Sequence, residues 1–209
     1  VLIGRIPYLS FKEMMRQTCG LFPFLKKEMG VKEIRQVTAQ NYAGVLEALA
    51  RETIDFAWVS PLAFVIAEEK GGLMPLAKAV FSGEKGYYGV FVTHKALGIL
   101  GLDDIRGKTI GFVDPESASG YLYPLYLLQR LKINPHKDCS KVFFFQKHDA
   151  LLRAVLERKI HVGVCLDAVL QALPSKLQSQ LLVLGKTDPV PSDVILCRQD
   201  CPVNLREKF

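Results

Sequence analysis

Short apolar runs alternate with amphipathic stretches along most of this chain. Residues 1–6, 34–39 and 54–59 read as strands, and the stretches 10–29, 42–51 and 61–69 between and after them place apolar residues at helical spacing. Strands near 74–81 and 87–93 follow. The order then restarts: strand 108–113, helix 119–132, strand 141–146, helix 148–157, strand 161–166, helix 167–173 and strand 180–185. Such strand–helix alternation predicts parallel sheets. A last strand, 194–197, comes after the turn-rich residues 187–192, and residues 204–209 read as the start of a helix.

The restart is a sequence repeat. At an offset of about 106 residues, Val45-Leu46-Glu47-Ala48-Leu49 falls on Leu151-Leu152-Arg153-Ala154-Val155, Ile54 on Ile160, and Tyr42 on His148. Ile3-Gly4 with Ser10 further on resembles Ile110-Gly111 with Ser117 further on, at a nearly equal offset. The chain therefore reads as two related α/β halves, lobe 1 at about 1–90 plus 192–209 and lobe 2 at about 91–191. In this reading the strand 194–197 returns to lobe 1, so that two crossing segments join the lobes. Open α/β sheets bind ligands at the carboxyl ends of their strands, where loops feed helix N-termini. Two such lobes can close on one ligand, and Tyr42 and His148, each just ahead of a helix, are its first candidate contacts.

Composition adds bounds. The 209 residues are 49% hydrophobic and 23% charged, as in an ordinary globular chain. No apolar run reaches the roughly 18 to 20 residues that span a bilayer. The net charge of +6 suits an anionic ligand, but Lys and Arg are scattered among acidic residues rather than massed in a stripe, so a nucleic-acid partner is not expected. Five cysteines and four histidines form neither a C-x-x-C nor a zinc-like spacing, so no metal or cofactor is expected; Cys197 and Cys201 are the one pair close enough to raise the question of a disulfide.

The sharpest local motif is Phe112-Val113-Asp114-Pro115-Glu116-Ser117-Ala118-Ser119-Gly120-Tyr121, a strand entering a Ser-rich turn and then a helix. Free N–H groups at a helix N-terminus, hydroxyl donors and a glycine that admits close backbone approach make an anion cradle. The same residues also fit a plain N-cap at Ser117 or Ser119. His148 reads equally as an oxyanion donor or as a capping or surface histidine, and one of Tyr87 and Tyr88 faces a cleft if the other packs. Ser60, before Pro61, is another candidate anion-facing cap; Asp167 and Asp193 could each meet a ligand ammonium or cap a turn. No nucleophile, base and orienter occur as a set, so no catalysis is expected.

Taken together these segments resemble the phosphonate- and phosphite-binding proteins of ABC importers, within the type 2 periplasmic binding protein fold. The residues that carry the resemblance are Pro7-Tyr8-Leu9-Ser10, Asn41 to Leu49, Asp55 to Ala67, Leu102 to Pro124 and His148-Asp149-Ala150. The resemblance implies an α/β, two-lobed architecture of mainly parallel sheets with two hinge crossovers. It also implies capture of a small oxyanion (a phosphonate, phosphite or phosphate ester) outside the cytoplasm, in the periplasm or anchored to a membrane. The partner it implies is an ABC permease or, in the alternative role, the transmembrane module of a sensor such as a histidine kinase; an enzyme on the same fold is a further alternative. Ser117, Ser119 and the backbone around Gly120 correspond to the family's Ser-Thr-Ser-Gly turn, with Ala118 where the family usually has Thr. Tyr42, Tyr87 and His148 are implied as oxyanion contacts, and Asp167 and Asp193 as recognising an aminoalkyl group.

Overall fold

The computed structural model describes residues 1–80 and 86–209. Its strands are β1 (Leu2–Arg5), β2 (Arg35–Thr38), β3 (Phe56–Val59), β4 (Leu73–Lys78), β5 (Gly86–Tyr87), β6 (Gly89–His94), β7 (Thr109–Phe112), β8 (Lys141–Phe144), β9 (Val162–Leu166), β10 (Leu181–Lys186), β11 (Val190–Pro191) and β12 (Val194–Arg198). The helices are α1 (Phe11–Thr18), α2 (Leu21–Met29), α3 (Tyr42–Ala50), α4 (Pro61–Lys70), α5 (Tyr123–Arg130), α6 (Pro135–Asp138), α7 (His148–Leu156), α8 (Asp167–Gln171), α9 (Ser175–Gln178) and α10 (Val203–Arg206). Residue 81, the end of one expected strand, lies outside the described residues. Among the described residues no helix is long and apolar enough to cross a membrane.

Contacts group the chain into two compact units, Val1–Ser82 with Ser192–Phe209, and Gly83–Pro191. Each holds a five-stranded sheet, ordered β2-β1-β3-β12-β4 in the first and β8-β7-β9-β6-β10 in the second. In the first, β1 is parallel to β2 and β3, while β12 is antiparallel to both β3 and β4. In the second, β7 is parallel to β8 and β9, while β6 is antiparallel to β9 and β10. Four strands of each sheet therefore share a direction and the fourth in order is reversed. The sheets are thus mainly parallel, as expected, with one antiparallel strand in each. β6 follows β4, and β12 follows β10, through residues 79–88 and 187–193. Within those two connections β5 and β11 pair with each other.

The repeat holds in three dimensions. Helices α3 and α7 and strands β2 and β8 begin 106 residues apart, at 42 and 148 and at 35 and 141. A Cβ on Gly4 would lie 2.4 Å from Ile54 Cδ1, and one on Gly111 would lie 2.6 Å from Ile160 Cδ1. In both halves, then, the first strand carries a glycine because an isoleucine of the same repeat position packs onto its backbone.

The expected helix over 10–29 is two helices. Thr18 turns its hydroxyl back onto the carbonyls of Met14 and Met15, a bond that competes with the helical ladder. Pro23 has no N–H to offer the Cys19 carbonyl four residues earlier. After α2, Gly30 takes a left-handed conformation (φ 65°) and donates to the Lys26 and Lys27 carbonyls, closing the helix. Phe22, Leu25 and Met29 of α2 pack with Ile3, Phe56, Trp58, Ile195 and Cys197 of the first sheet. The end of the chain joins the same core, with the Phe209 ring 4.5 Å from that of Phe56. All five cysteines are free thiols.

One internal difference breaks the symmetry. In the second unit the Phe145 ring reaches within 2.8 Å of a Cβ placed on Gly111. The residue equivalent to Phe145 in the first unit is Ala39, and there a cavity of about 380 Å³ opens among Gly4, Ala39, Gly44, Val45 and Ile54. Cavity filling commonly adds about 0.5–2 kcal/mol. Ala39→Phe should therefore raise unfolding free energy by about that amount in chemical denaturation, whereas a loss would show that the two halves do not share this packing site.

Candidate functional site

In the second unit the Ser-rich turn is shaped by a missing donor. Pro124 cannot supply the N–H that would bond the Gly120 carbonyl in a regular helix. That carbonyl instead accepts from Val113 N–H at 3.2 Å, tying the turn to the end of β7. The turn winds as a π-helix over Ala118–Leu122, with Leu122 N–H donating to the Ser117 carbonyl, and only then passes into α5. The helix expected from 119 thus begins as a wider coil. There is no room for a side chain at Gly120: its Cβ would lie 2.6 Å from Val113 Cβ and 2.8 Å from Ser117 Oγ. Gly89 is constrained similarly, since a Cβ there would lie 2.4 Å from the Ser119 carbonyl oxygen.

Ser117 is the N-cap, its hydroxyl oxygen accepting from Gly120 N–H at 3.0 Å. Ser119 is not. A hydroxyl has one proton and two lone pairs, so Ser117 can cap the turn with its oxygen and still donate to a ligand. Both serines are buried.

His148 is the first residue of α7 and is 2% exposed, which removes the surface-histidine alternative. Its Nδ1 accepts from Leu166 N–H at 2.9 Å, so in the neutral ring the proton sits on Nε2. Burial pushes its pKa down to about 3. Neutral His148 therefore presents an N–H donor. Asp167 opens α8, where Oδ1 accepts from Ala168 N–H at 2.9 Å and Tyr88 N–H at 3.3 Å. The Lys186 ammonium stands 3.3 Å over the Tyr88 ring, while Tyr87 lies in β5. The turn, His148 and Asp167 follow β7, β8 and β9 respectively, at the carboxyl edge of one sheet.

In the first unit the corresponding edge carries Ser10 after β1, Tyr42 after β2 and Ser60 after β3. Tyr42 is 1% exposed at the start of α3, whose cap is Asn41, accepting from Gly44 N–H at 2.9 Å. Ser60 caps α4 by accepting from Ala63 N–H at 3.3 Å. Ser10 holds the N-cap position of α1 without a cap bond to the helix. Asp193 precedes β12 and accepts from Trp58 Nε1–H at 3.2 Å.

Sequence reasoning missed Arg5. It is 1% exposed at the end of β1. Its guanidinium lies 4.4 Å from the Trp58 ring and 5.3 Å from that of Tyr8, and donates to the Tyr8 hydroxyl at 2.7 Å. The available signal was alternation: Arg5 is two residues from Ile3 and so faces the same, inner side of the strand.

Residues 3–209 match the family described as the periplasmic substrate-binding protein of phosphonate ABC transporters. The chain belongs to this family. It is 29% identical over 199 residues to the phosphonates-binding periplasmic protein of Escherichia coli K12, covering 90% of this chain and 58% of that one. It is 35% identical over 180 residues to the phosphate-import protein PhnD of Mycolicibacterium smegmatis, covering 81% of this chain and 56% of the relative. The chain thus spans less than two thirds of the length of either curated relative. PhnD1 of Prochlorococcus marinus, solved with methylphosphonate, superposes with a TM-score of 0.88 at 19% identity, over all of this chain and 81% of that one. The superposition gives this chain the two-lobed α/β fold of binding proteins.

Two outcomes follow from the family member's geometry. Losing the cap in Ser117→Ala should lower stability by about 0.5–2 kcal/mol without ligand, while Ser119→Ala leaves thermal unfolding nearly unchanged; equal losses would contradict the assignment of the cap. For His148 the folded pKa of about 3 lies below the ordinary value near 6.5, so between those pH values the unfolded chain binds the extra proton. Stability should fall on acidification through this window, by up to about 1.4 kcal/mol per pH unit. His148→Gln should flatten the slope of unfolding free energy against pH, and an unchanged slope would assign it to other groups.

Proposed function

We propose that this chain captures a small phosphonate-like oxyanion for uptake by an ABC permease on the outer side of the membrane. The observation that carries the reading is the turn at 117–120, in which Ser117 caps Gly120 through its oxygen and keeps its proton for a ligand. The first-turn N–H groups of a helix have no helical acceptor, and His148 offers Nε2–H at the same sheet edge. These donors are neutral, acting by hydrogen bonding and not by ion pairing, and they suit phosphate-like oxygens.

The proposed contacts are Ser117, Ser119, the backbone of Ala118 and Gly120, and His148 on one unit, with Tyr42, Ser10 and Ser60 on the other and Tyr87 in the connecting segment. Asp167 and Asp193 are proposed to meet a cationic substituent on the ligand. Family membership supports the substrate class, and the relative from Prochlorococcus marinus binds methylphosphonate.

Calorimetry against methylphosphonate, phosphite, phosphate and sulfate tests the proposal. Heat is expected with at least methylphosphonate, and Ser119→Ala should weaken that binding by about 1.5–3 kcal/mol, the range for a hydrogen bond to a charged group. Ala118→Thr adds a hydroxyl to the turn and should tighten it. Binding of none of the four would sink the proposal; binding abolished by Ala118→Thr would mean that the pocket is shaped for a different anion.

A further inference from the structure

Arg5 is a buried cation whose hydrogen-bond acceptors are all neutral. Its Nη1 donates to the Met14 carbonyl at 3.2 Å and the Gln36 side-chain oxygen at 3.4 Å; its Nη2 donates to Tyr8 Oη at 2.7 Å and the Gln17 side-chain oxygen at 3.5 Å. Its Nε has no hydrogen-bond partner among the described residues, and none of the ion pairs among them includes Arg5. The Asp193 carboxylate, bonded to the Trp58 indole on which Arg5 stacks and acting on the Tyr8 hydroxyl, offsets part of this charge, and burying a charge is otherwise costly. Here the faces of Trp58 and Tyr8 and four neutral oxygens hold it.

The place of this charge matters. Arg5 ends β1, level with Trp58 in β3, and β12 starts beside the same strand, with Val194 opposite Val59. Tyr8 and Ser10 follow β1, Ser60 follows β3 and Asp193 precedes β12 at that edge, with Tyr42 after the neighbouring β2. A fixed positive charge under the edge makes the potential there more favourable for an anion, and in proportion to the anion's charge. Neutral donors such as Ser117, Ser119 and His148 also bind a dianion's oxygens more strongly, but a full charge adds a Coulomb term that falls off more slowly with distance than a dipole's.

We infer that Arg5 is a specificity-determining residue that makes the site prefer doubly charged over singly charged tetrahedral oxyanions. The inference rests on the oxyanion-binding reading above. Arg5 does this through the field of a guanidinium held against Trp58 and Tyr8.

Methylphosphonate and methanesulfonate are the probes, since they have one shape and differ by one charge when the phosphonate is fully ionised. Affinities are measured at such a pH by calorimetry, with fluorescence of the chain's single tryptophan, Trp58, reporting on the Arg5 contact. The wild-type chain is expected to prefer methylphosphonate at least tenfold. Arg5→Gln should cut that preference to threefold or less, mainly by weakening methylphosphonate. Tyr8→Phe removes a partner of Arg5 and keeps the charge, so it should keep the preference. Arg5→Met, which removes the charge and leaves an unbranched apolar chain against Trp58 and Tyr8, should cut the preference as far, and it decides the matter if Arg5→Gln does not fold. A wild-type chain that binds both ligands equally, or a preference unchanged in folded Arg5→Gln or Arg5→Met, overturns the inference and leaves the oxyanion reading standing. A wild-type chain that binds neither ligand overturns both.

Discussion

Each sheet depends on one reversed strand. In the first, β12 bonds to β3 on one side and β4 on the other, and in the second β6 bonds to β9 and β10. Neither is an edge strand that could be lost while the rest of the ladder stays intact: without β12, β4 has no neighbour in the sheet. Yet β12 is the last strand of the chain, separated from β3 and β4 by the whole second unit, and β6 is likewise separated from β9 and β10. Completing either sheet requires contacts between residues about 70 to more than 100 positions apart in sequence, and such non-local pairing is entropically slow to form. The same threading fixes the carboxyl edges of β1, β3, β7 and β9, where Ser10, Ser60, the Ser-rich turn and Asp167 follow.

What the sequence made legible was whatever leaves a local pattern. The repeat could be read because both halves solve one packing problem with the same residues, a glycine on the first strand under an isoleucine, and a buried polar side chain opening the helix after the second strand. The reversed strands could not be read, since a run such as Val194-Ile195-Leu196-Cys197 has the same composition whichever way it runs; direction follows from the connection and from pairing with residues far away. The helix over 10–29 was over-extended because its apolar spacing continues through Thr18 and Gly20, whereas the break comes from a hydroxyl–carbonyl bond and from the N–H that Pro23 lacks.

The candidate site divides in the same way. Ser117 and Gly120 could be named from the motif, but which serine caps was set by a three-dimensional exchange: Pro124 leaves the Gly120 carbonyl open, Val113 takes it, and the resulting π-turn brings Gly120 N–H to Ser117 Oγ instead of to a helical carbonyl. His148 could be named from its alignment with Tyr42, but its tautomer depends on Leu166 N–H, eighteen residues away on β9. Alternation with Ile3 could have placed Arg5 on the inner face of β1, but the rings of Trp58 and Tyr8 that hold its guanidinium come from other segments and leave no local pattern.

The two units differ in the polar groups they hold at their carboxyl edges, although both follow one pattern. The second offers neutral donors whose orientation is fixed by backbone bonds, at Ser117 through Gly120 and at His148 through Leu166. With a pKa near 3, His148 is uncharged at any pH where the protein is near neutral, so its contribution does not switch over that range. The first unit has Tyr42 in place of His148 and an Asn cap, at Asn41, where the second has Lys147 without a side-chain cap bond. What it adds instead is a permanent charge at Arg5, held against two aromatic rings. In the proposed site, orientation and charge are carried by different residues on different elements, so a substitution in the Ser-rich turn would leave the charge at the first unit's edge as it was.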